Sequence, residues 1–265
     1  MLNRIRPSSG TLKAGGSSSN QWLGLLGIAV VFALWELSVR TGAVQAALVP
    51  LPSSLPGTFL QEIERGVWLT VVLGSLRHYT SGLLLGTALG LTVGAAVALA
   101  PGFRALQYYL ARILRPIPPL AWIPFAIIWF GINRNAATFI ISIGVFWINY
   151  FAGSQAIASV DRDLIEVARV FGHDRFFPRL MKVVLPAALP GILTGMRTGI
   201  GQAWMTVVAA ELFGIRGIGQ RMIEASGLLA IDVVMVYMLT IAALYGLTDA
   251  AFSLVQRRLL KWQNV

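Results

Sequence analysis

The chain has 265 residues, of which 56% are hydrophobic and 12% charged, and its mean hydropathy is +0.72. A soluble domain carries about 25% charged residues, so this composition excludes a water-soluble globular enzyme. The 21 Lys and Arg exceed the 11 Asp and Glu by ten, which in a membrane protein is typical of cationic cytoplasmic loops. The chain has no Cys and only two, widely separated His. Disulfides, thiol catalysis and thiolate metal sites are therefore excluded, and no metal site is predicted.

The first segment, residues 1–20, is polar and rich in Gly and Ser, and it predicts a disordered cytoplasmic tail. Trp22 to Val39 is the first apolar stretch. A cleaved signal peptide is the alternative, but 18 apolar residues exceed the usual signal core of about 7–15, which favours a retained helix. This first span and an external connection make up residues 21–68. Three prolines interrupt the connection, which is predicted to end in a short interfacial helix from Phe59 to Trp68.

Five further apolar stretches have lengths close to the roughly 20 residues that cross a bilayer. They lie at about 79–100, 117–132, 136–157, 190–212 and 233–255. The predicted fold is thus an all-α integral membrane protein of about six transmembrane helices. Residues 69–256 form its core and 257–265 a cytoplasmic C-terminal tail. The remaining loops are too short for a separate catalytic domain.

The positive residues of the short loops predict the orientation. With a cytoplasmic N-terminus, the inner segments 1–20, 101–116, 159–189 and 257–265 hold fourteen Lys and Arg. The outer segments hold six, and Arg197 lies inside a span. This distribution favours both termini inside.

Two glycine stripes follow helical spacing. The second span carries Gly82, Gly86, Gly90 and Gly94, and the fifth carries Gly191, Gly195 and Gly199. Such stripes let helix backbones approach closely in lipid. We favour packing inside one subunit over a contact between subunits.

The longest inner loop, residues 159–189, is predicted to form two short helices. Asp163 and Glu166 fit a capping box, and Gly172 is placed to end the first helix. The second helix is amphipathic, and Pro186 and Pro190 are expected to fix a turn into the fifth span. Such a loop has three candidate uses: lying on anionic lipid, packing under its own helices, or docking a soluble partner.

This loop resembles the Glu-Ala-Ala loop of permease subunits of binding-protein-dependent ABC importers. The matching residues are Glu166, Ala168, Gly172, Leu185 and Pro186. The resemblance implies the type I importer permease fold and a coupling helix seated in a groove of the cytoplasmic ATPase. Two departures are visible: Val167 replaces the usual second Ala, and ten residues, rather than nine, lie between Gly172 and the apolar Val183.

A proline-rich segment, residues 115–124, is similar to the sulfonate/nitrate/taurine branch of that family. Four prolines within nine residues prevent a regular helix. Freed carbonyls at membrane depth are tolerated where protein or a water-filled cavity satisfies them. The segment is therefore a candidate pathway wall, and a kinked helix entry without a transport role is the alternative. The candidate residues here are Pro118, Pro119, Trp122 and Pro124.

Other pathway candidates are Arg197, Trp204 and Glu211. Charges inside spans are expensive and need a role or a partner. Snorkelling to the inner interface is the alternative for Arg197, and a capping or hydrogen-bonding role is the alternative for Glu211. Asp249 is expected to face a neighbouring helix or an interface.

No Gly-Lys-Ser/Thr phosphate loop occurs in the chain, so ATP hydrolysis by this subunit is not expected. The resemblance implies that ATP and Mg are bound by partner ATPase subunits, with no cofactor in this one. It also implies an external binding protein, a second copy of the chain and a place in the bacterial inner membrane. The implied function is import of small oxyanions or organic sulfonates. A proton-coupled secondary transporter that uses Glu211 or Asp249 is the alternative.

Overall fold

A computed structural model describes residues 18–45 and 48–264. The described part is helical and contains no β-strand, as the sequence predicts. In chain order its α-helices are α1 (Ser18–Arg40), α2 (Leu55–Glu64), α3 (Val67–Leu99), α4 (Pro101–Leu114), α5 (Ile123–Phe130), α6 (Arg134–Ala158), α7 (Arg162–Val170), α8 (Phe176–Arg179), α9 (Leu185–Glu211), α10 (Ile218–Gly227) and α11 (Ile231–Leu259). Short 3-10 turns cover Pro52–Ser54, Pro119–Trp122 and Lys261–Asn264, and Leu180–Val184 is a π-helical turn.

The chain divides into two compact units, residues 1–54 and 55–265. In the first unit, Glu36 of α1 accepts hydrogen bonds from Ser53 Oγ at 2.8 Å and Arg40 Nε at 2.7 Å. Residues 1–17 of the predicted disordered tail lie outside the described residues. The last three residues of that predicted tail belong to α1, which begins at Ser18. All the helices from α2 onward belong to the second unit.

The number of spans agrees with the prediction of about six. Among the described residues, five helices are long and apolar enough to cross a membrane. They are Trp22–Arg40, Val67–Leu99, Arg134–Ala158, Phe176–Glu211 and Ile231–Leu259. A sixth span is present if the pair Gly102–Leu114 and Pro119–Phe130, which is bent by 90°, counts as one.

Helix α6 is the centre of the second unit, because the two glycine stripes pack against it from α3 and α9. A Cβ at Gly86 of α3 would lie 2.6 Å from the carbonyl oxygen of Ser142, and one at Gly90 would lie 2.6 Å from that of Phe146. On the α9 side, Gly191 and Gly195 face alanines of α6, and Gly199 faces Asn149. The prediction that both stripes pack within one subunit is confirmed.

The contacts along these stripes define the direction of each helix. Positions of α3 and α6 rise together along their contact, so the two helices run parallel, whereas α9 runs antiparallel to α6. The start of α3, the start of α6 and the end of α9 therefore share one end of the bundle. We call it the Glu211 end, and the opposite end, which carries α7, the Gly172 end.

The second span begins twelve residues earlier than predicted. Gly66, in the left-handed conformation at φ 69°, allows a tight turn between α2 and α3, and α3 then starts at Val67 instead of near residue 79. The interfacial helix is α2, which also starts earlier than the predicted Phe59. Ser75 and His78 lower the hydropathy of residues 67–78, yet both are buried. Tertiary contacts therefore make α3 begin earlier than its hydropathy alone predicts.

Spans three and five also differ from the prediction. The third is not a regular helix over 117–132, because the prolines give a 3-10 turn followed by the eight-residue α5.

The predicted turn at Pro186 and Pro190 is wrong, since helix runs through both residues from Phe176 to Glu211. At Pro186, a π-helical turn explains the continuity, because Leu185 N–H bonds five residues back to Leu180 O; Pro190 lies inside the α-helix α9. This wider turn relieves the clash of a proline ring with the carbonyl four residues before it. At the C-terminus, α11 continues to Leu259, into the predicted tail.

The central packing predicts the effect of adding one methyl group. Gly90→Ala should lower the free energy of unfolding by about 1–3 kcal/mol, because the new Cβ meets backbone that cannot move aside. Gly246→Ala in α11 is the matched control, since nothing lies within 4 Å of its Cβ position. Thermal unfolding of both purified variants in one detergent measures the difference. Equal midpoints for the two variants would contradict the packing argument.

Candidate functional site

A buried hydrogen-bond network joins three elements at the Glu211 end. The carboxylate of Glu211 is fully buried and accepts hydrogen bonds from Ser75 Oγ at 2.8 Å and Gly219 N at 2.9 Å. Its other oxygen lies 2.8 Å from His78 Nδ1. Ser75 Oγ in turn accepts from Ile218 N at 2.8 Å. The network therefore fixes the start of α10 against α3 and the end of α9.

The glycine-rich loop after α9 holds the protein's own carboxylate. A Cβ on Gly217 would collide with the Glu211 carboxylate, and one on Gly219 would collide with Val208 O. These glycines are therefore required by close approach to Glu211. The structure gives Glu211 the hydrogen-bonding role that the sequence left open. The contacts of Ser75 and His78 with Glu211 are not visible in the sequence, although the spacing of three residues places both on one face of α3.

A second buried carboxylate clamps α2, α10 and α11 together. Glu62 accepts hydrogen bonds from Arg221 Nη2 at 2.7 Å and from Tyr237 Oη at 2.9 Å. Burial opposes ionisation of Glu62, but the hydrogen bonds from Arg221 and Tyr237 outweigh it and hold its pKa below the ordinary value. This clamp could not be predicted from the sequence, because its members lie about 160 to 175 residues apart in the chain.

The charged pathway candidate inside the spans has a partner. Arg197 of α9 makes a bidentate ion pair with Asp249 of α11, at 2.7 and 2.6 Å. The expectation that Asp249 faces a neighbouring helix is confirmed. The Arg197 side chain is still 48% exposed. Trp204 is buried, stacks on Tyr79 at 4.5 Å and donates to Thr248, so it belongs to the core between α3, α9 and α11.

The proline-rich segment packs against the central helices α6 and α9. Pro119 and Thr206 both approach the Cβ position of Gly144, at 3.2 and 3.0 Å. Pro118 and Pro124 are exposed and Trp122 is half-buried. The indole N–H of Trp122 is buried without a hydrogen-bond partner in the described chain. Its pathway role remains a prediction.

At the Gly172 end, α7 begins and ends at well-defined caps. Its N-cap is Asp161, whose side chain accepts a hydrogen bond from Asp163 N. The predicted capping box of Asp163 and Glu166 is therefore wrong, since Asp163 lies inside the helix and Leu164 occupies the third helical position. Its C-terminus has the predicted glycine: Gly172 has φ 83°, and its N–H bonds to Arg169 O while His173 N–H bonds to Ala168 O. This pair of bonds is a Schellman motif.

The Schellman motif leaves an apolar tip exposed. Val170 is 85% and Phe171 78% exposed, and a Cβ on Gly172 would meet open space. Ala168, by contrast, is buried against its own chain. Of the predicted coupling residues, Glu166 and Gly172 are exposed at the surface of this loop. The sequence analysis did not single out Val170 and Phe171, although two apolar residues directly before a capping glycine are a visible signal.

The remaining two coupling candidates lie beside the C-terminus. Leu185 and Pro186 line an apolar depression of about 510 Å³ together with Met181, Leu189 and Trp262. The structure thus separates the five candidates into an exposed loop, a buried Ala168 and this depression on the long helix.

Comparisons with known proteins agree on one family. Residues 82–263 match the family described as binding-protein-dependent transport system inner membrane component. A Bacillus subtilis (strain 168) protein named as an aliphatic sulfonates transport permease, SsuC, is 35% identical over 257 residues, 95% of this chain and 92% of that protein. The taurine transport system permease protein TauC of Escherichia coli (strain K12) is 36% identical over 191 residues, 72% of this chain and 69% of that protein.

The fold is shared with a solved importer. A chain of the MetNI methionine ABC transporter in an inward-facing conformation superposes with a TM-score of 0.62, covering 76% of this chain and 98% of that one. Its sequence identity is 23%, so the likeness concerns the fold alone.

The Glu62 clamp predicts a dependence of stability on pH. Because the folded-state pKa of Glu62 is lowered, its contribution is present above the ordinary carboxyl pKa of about 4.3 and is lost as the pH falls through the folded value. Glu62→Gln should therefore lower the free energy of unfolding by about 1–3 kcal/mol at pH 7, and by almost nothing at a pH below the folded pKa. The exposed neighbour Glu64 provides the control variant Glu64→Gln. Thermal unfolding at both pH values checks this, and an effect independent of pH would contradict it.

Proposed function

Because this chain belongs to the family of binding-protein-dependent transport system inner membrane components, we propose that it forms the membrane pathway for small organic sulfonates or related oxyanions. As a member of that family it is a permease subunit of an ABC importer. It is thus a transport component that works with ATPase subunits and a binding protein in the inner membrane. The alternative of a proton-coupled secondary transporter does not match the family.

The substrate class is supported by the relatives. Those at 35% and 36% identity are named for transport of aliphatic sulfonates and of taurine. In this proposal the external protein binds the anion and delivers it to the Glu211 end. ATP and Mg are bound by the ATPase subunits and not by this chain.

The exposed tip of α7 is the observation that carries the coupling part of the proposal. Val170 and Phe171 expose large apolar surface, which marks an interaction site for a protein or a membrane. Glu166 and Gly172 lie on the same loop. Seating this tip in a groove of the ATPase would bury Val170 and Phe171. Leu185 and Pro186 would then transmit the contact into the long helix.

The exposed ion pair supports a homodimer with a central pathway. Arg197 and Asp249 lie well inside their helices, where charge facing lipid is costly. Thr194 and Thr198 are exposed on α9 beside Arg197, so this face of α9 is polar. In the proposal this face lines the water-filled pathway, with the proline segment nearby, and a second copy of the chain shields it from lipid. The glycine stripes are already used inside the subunit and leave other faces for that contact.

The apolar tip predicts which variants break the complex. Phe171→Ser should weaken association with the ATPase subunits by about 2 kcal/mol, roughly thirtyfold, because exposed aromatic side chains often anchor interfaces. Leu228→Ser, at the Glu211 end and 77% exposed, is the matched control and should leave association unchanged. Co-purification in mild detergent and ATP-driven uptake of a radiolabelled alkanesulfonate, with ATPase and binding protein reconstituted in proteoliposomes, are the measurements.

Wild-type association and uptake by the Phe171 variant would exclude docking through this tip. Ala168→Leu is a poorer test, since Ala168 is buried in its own chain and a larger side chain there disturbs the loop whatever it binds.

The charge distribution predicts the topology. Since the chain has no native Cys, single cysteines report cleanly. Ser226→Cys in α10 should react with an impermeant maleimide in intact cells, whereas Asn264→Cys should react only after the membrane is opened. Labelling of Asn264→Cys in intact cells would reverse the proposed orientation.

A further inference from the structure

A cavity of about 770 Å³ opens at the Glu211 end between α3, the start of α6 and α10. The cavity is lined by four arginines, together with His78 and Gln220. The arginines come from these three helices and from the loop before α10. The arginines are Arg77, Arg134, Arg216 and Arg221. Glu224 is the acidic residue in the same lining. The cavity wall therefore carries an excess of positive charge.

The acids nearby neutralise only one of these arginines. Arg221 is held by Glu62 at 2.7 Å and lies 3.8 Å from Glu224. Across the described residues, no carboxylate lies within 4.0 Å of the guanidinium groups of Arg77, Arg134 or Arg216. Three like charges around one concave surface raise its positive potential and attract an anion.

The arginines are held on fixed elements. Arg77 lies on α3 between Ser75 and His78, both of which contact Glu211. Arg216 lies on the loop whose next residues, Ile218 and Gly219, bond to Ser75 and Glu211. The carbonyl oxygen of Arg216 is only 3.0 Å from the Cβ position of Gly74, so this loop presses directly on α3. Ordering the backbone around a ligand therefore costs little.

The shape and chemistry select a small anion. Guanidinium groups present a planar fork of donors that matches the oxygen atoms of sulfonates and other oxyanions. A volume of about 770 Å³ is within the range of small-molecule sites.

We propose that this cavity is a binding site for a sulfonate or similar small oxyanion, held by Arg77, Arg134 and Arg216. The site receives the anion at the end that faces the binding protein. The proposal rests on the proposed function for the choice of ligand class and for the side of the binding protein, whereas the charge and shape of the cavity stand without it.

The test uses the full chain assembled with its ATPase subunits in phosphatidylcholine nanodiscs, without binding protein. Ethanesulfonate is titrated by calorimetry, with neutral ethanesulfonamide as the reference ligand. We expect saturable binding of ethanesulfonate alone, weakened by salt. Arg77→Gln and Arg216→Gln should each weaken it about tenfold or more, because each removes a charge-assisted contact. Arg258→Gln, an exposed arginine near the end of α11, is the matched control and should bind normally.

Thermal unfolding confirms that each variant is folded. Wild-type affinity in both cavity variants would overturn the proposal, as would absence of ethanesulfonate binding to the wild type. If binding is absent while binding-protein-driven uptake proceeds, the proposed function stands and only the cavity site is wrong. If both cavity variants bind normally but lose stimulation of ATPase activity by the binding protein, the cavity is instead a docking surface for an acidic protein face. Binding without any ATP-driven uptake would support the cavity site and count against the proposed function.

Discussion

The close approach of α3 and α9 to the two sides of α6 is the contact on which the rest of the structure depends. In lipid there is little hydrophobic drive to hold helices together, so packing depends on how closely their backbones can meet. Glycines on both outer helices remove the side chains that would separate them from α6. With α3 and α9 fixed in this way, their ends at Ser75, His78 and Glu211 come within hydrogen-bonding distance.

The polar contacts at the Glu211 end are a second layer built on that packing. Two buried carboxylates lie there, and they solve the problem of burial differently. Glu211 is satisfied by a hydroxyl, an imidazole and a backbone N–H, whereas Glu62 is paired with a guanidinium and a phenol. Both draw the short helix α10 onto the bundle. Among the arginines of the cavity beside α10, Arg221 is paired with Glu62, whereas Arg77, Arg134 and Arg216 have no carboxylate partner in the described part of the chain.

Much of this arrangement could be predicted from the sequence, because its signals are local. The spacing of four between glycines predicts close helix packing, and a single Gly after an amphipathic segment predicts the end of α7. The partner of each stripe could not be predicted, since α6 is chosen by tertiary contacts. The predicted second span starts too late, at about residue 79, because hydropathy does not register that Glu211 satisfies the polar side chains of Ser75 and His78. The predicted turn at Pro186 is wrong for a related reason. The expectation that proline breaks a helix assumes α-helical hydrogen bonds, and the π-helical turn before Pro186 has a different hydrogen-bond pattern.

The unbroken helix from Phe176 to Glu211 has a mechanical consequence. At about 1.5 Å per residue, its 36 residues span roughly 54 Å, with one end close to α7 in the chain and the other in the Glu211 network. A tilt of about 10° around one end of a helix of this length carries the other end through roughly 9 Å, by its length alone. Pro190 and the π-helical turn at Leu180–Val184 are the positions in this helix where a bend would occur. One continuous helix thus joins the Gly172 end to the Glu211 end, and Arg197 lies close to its midpoint.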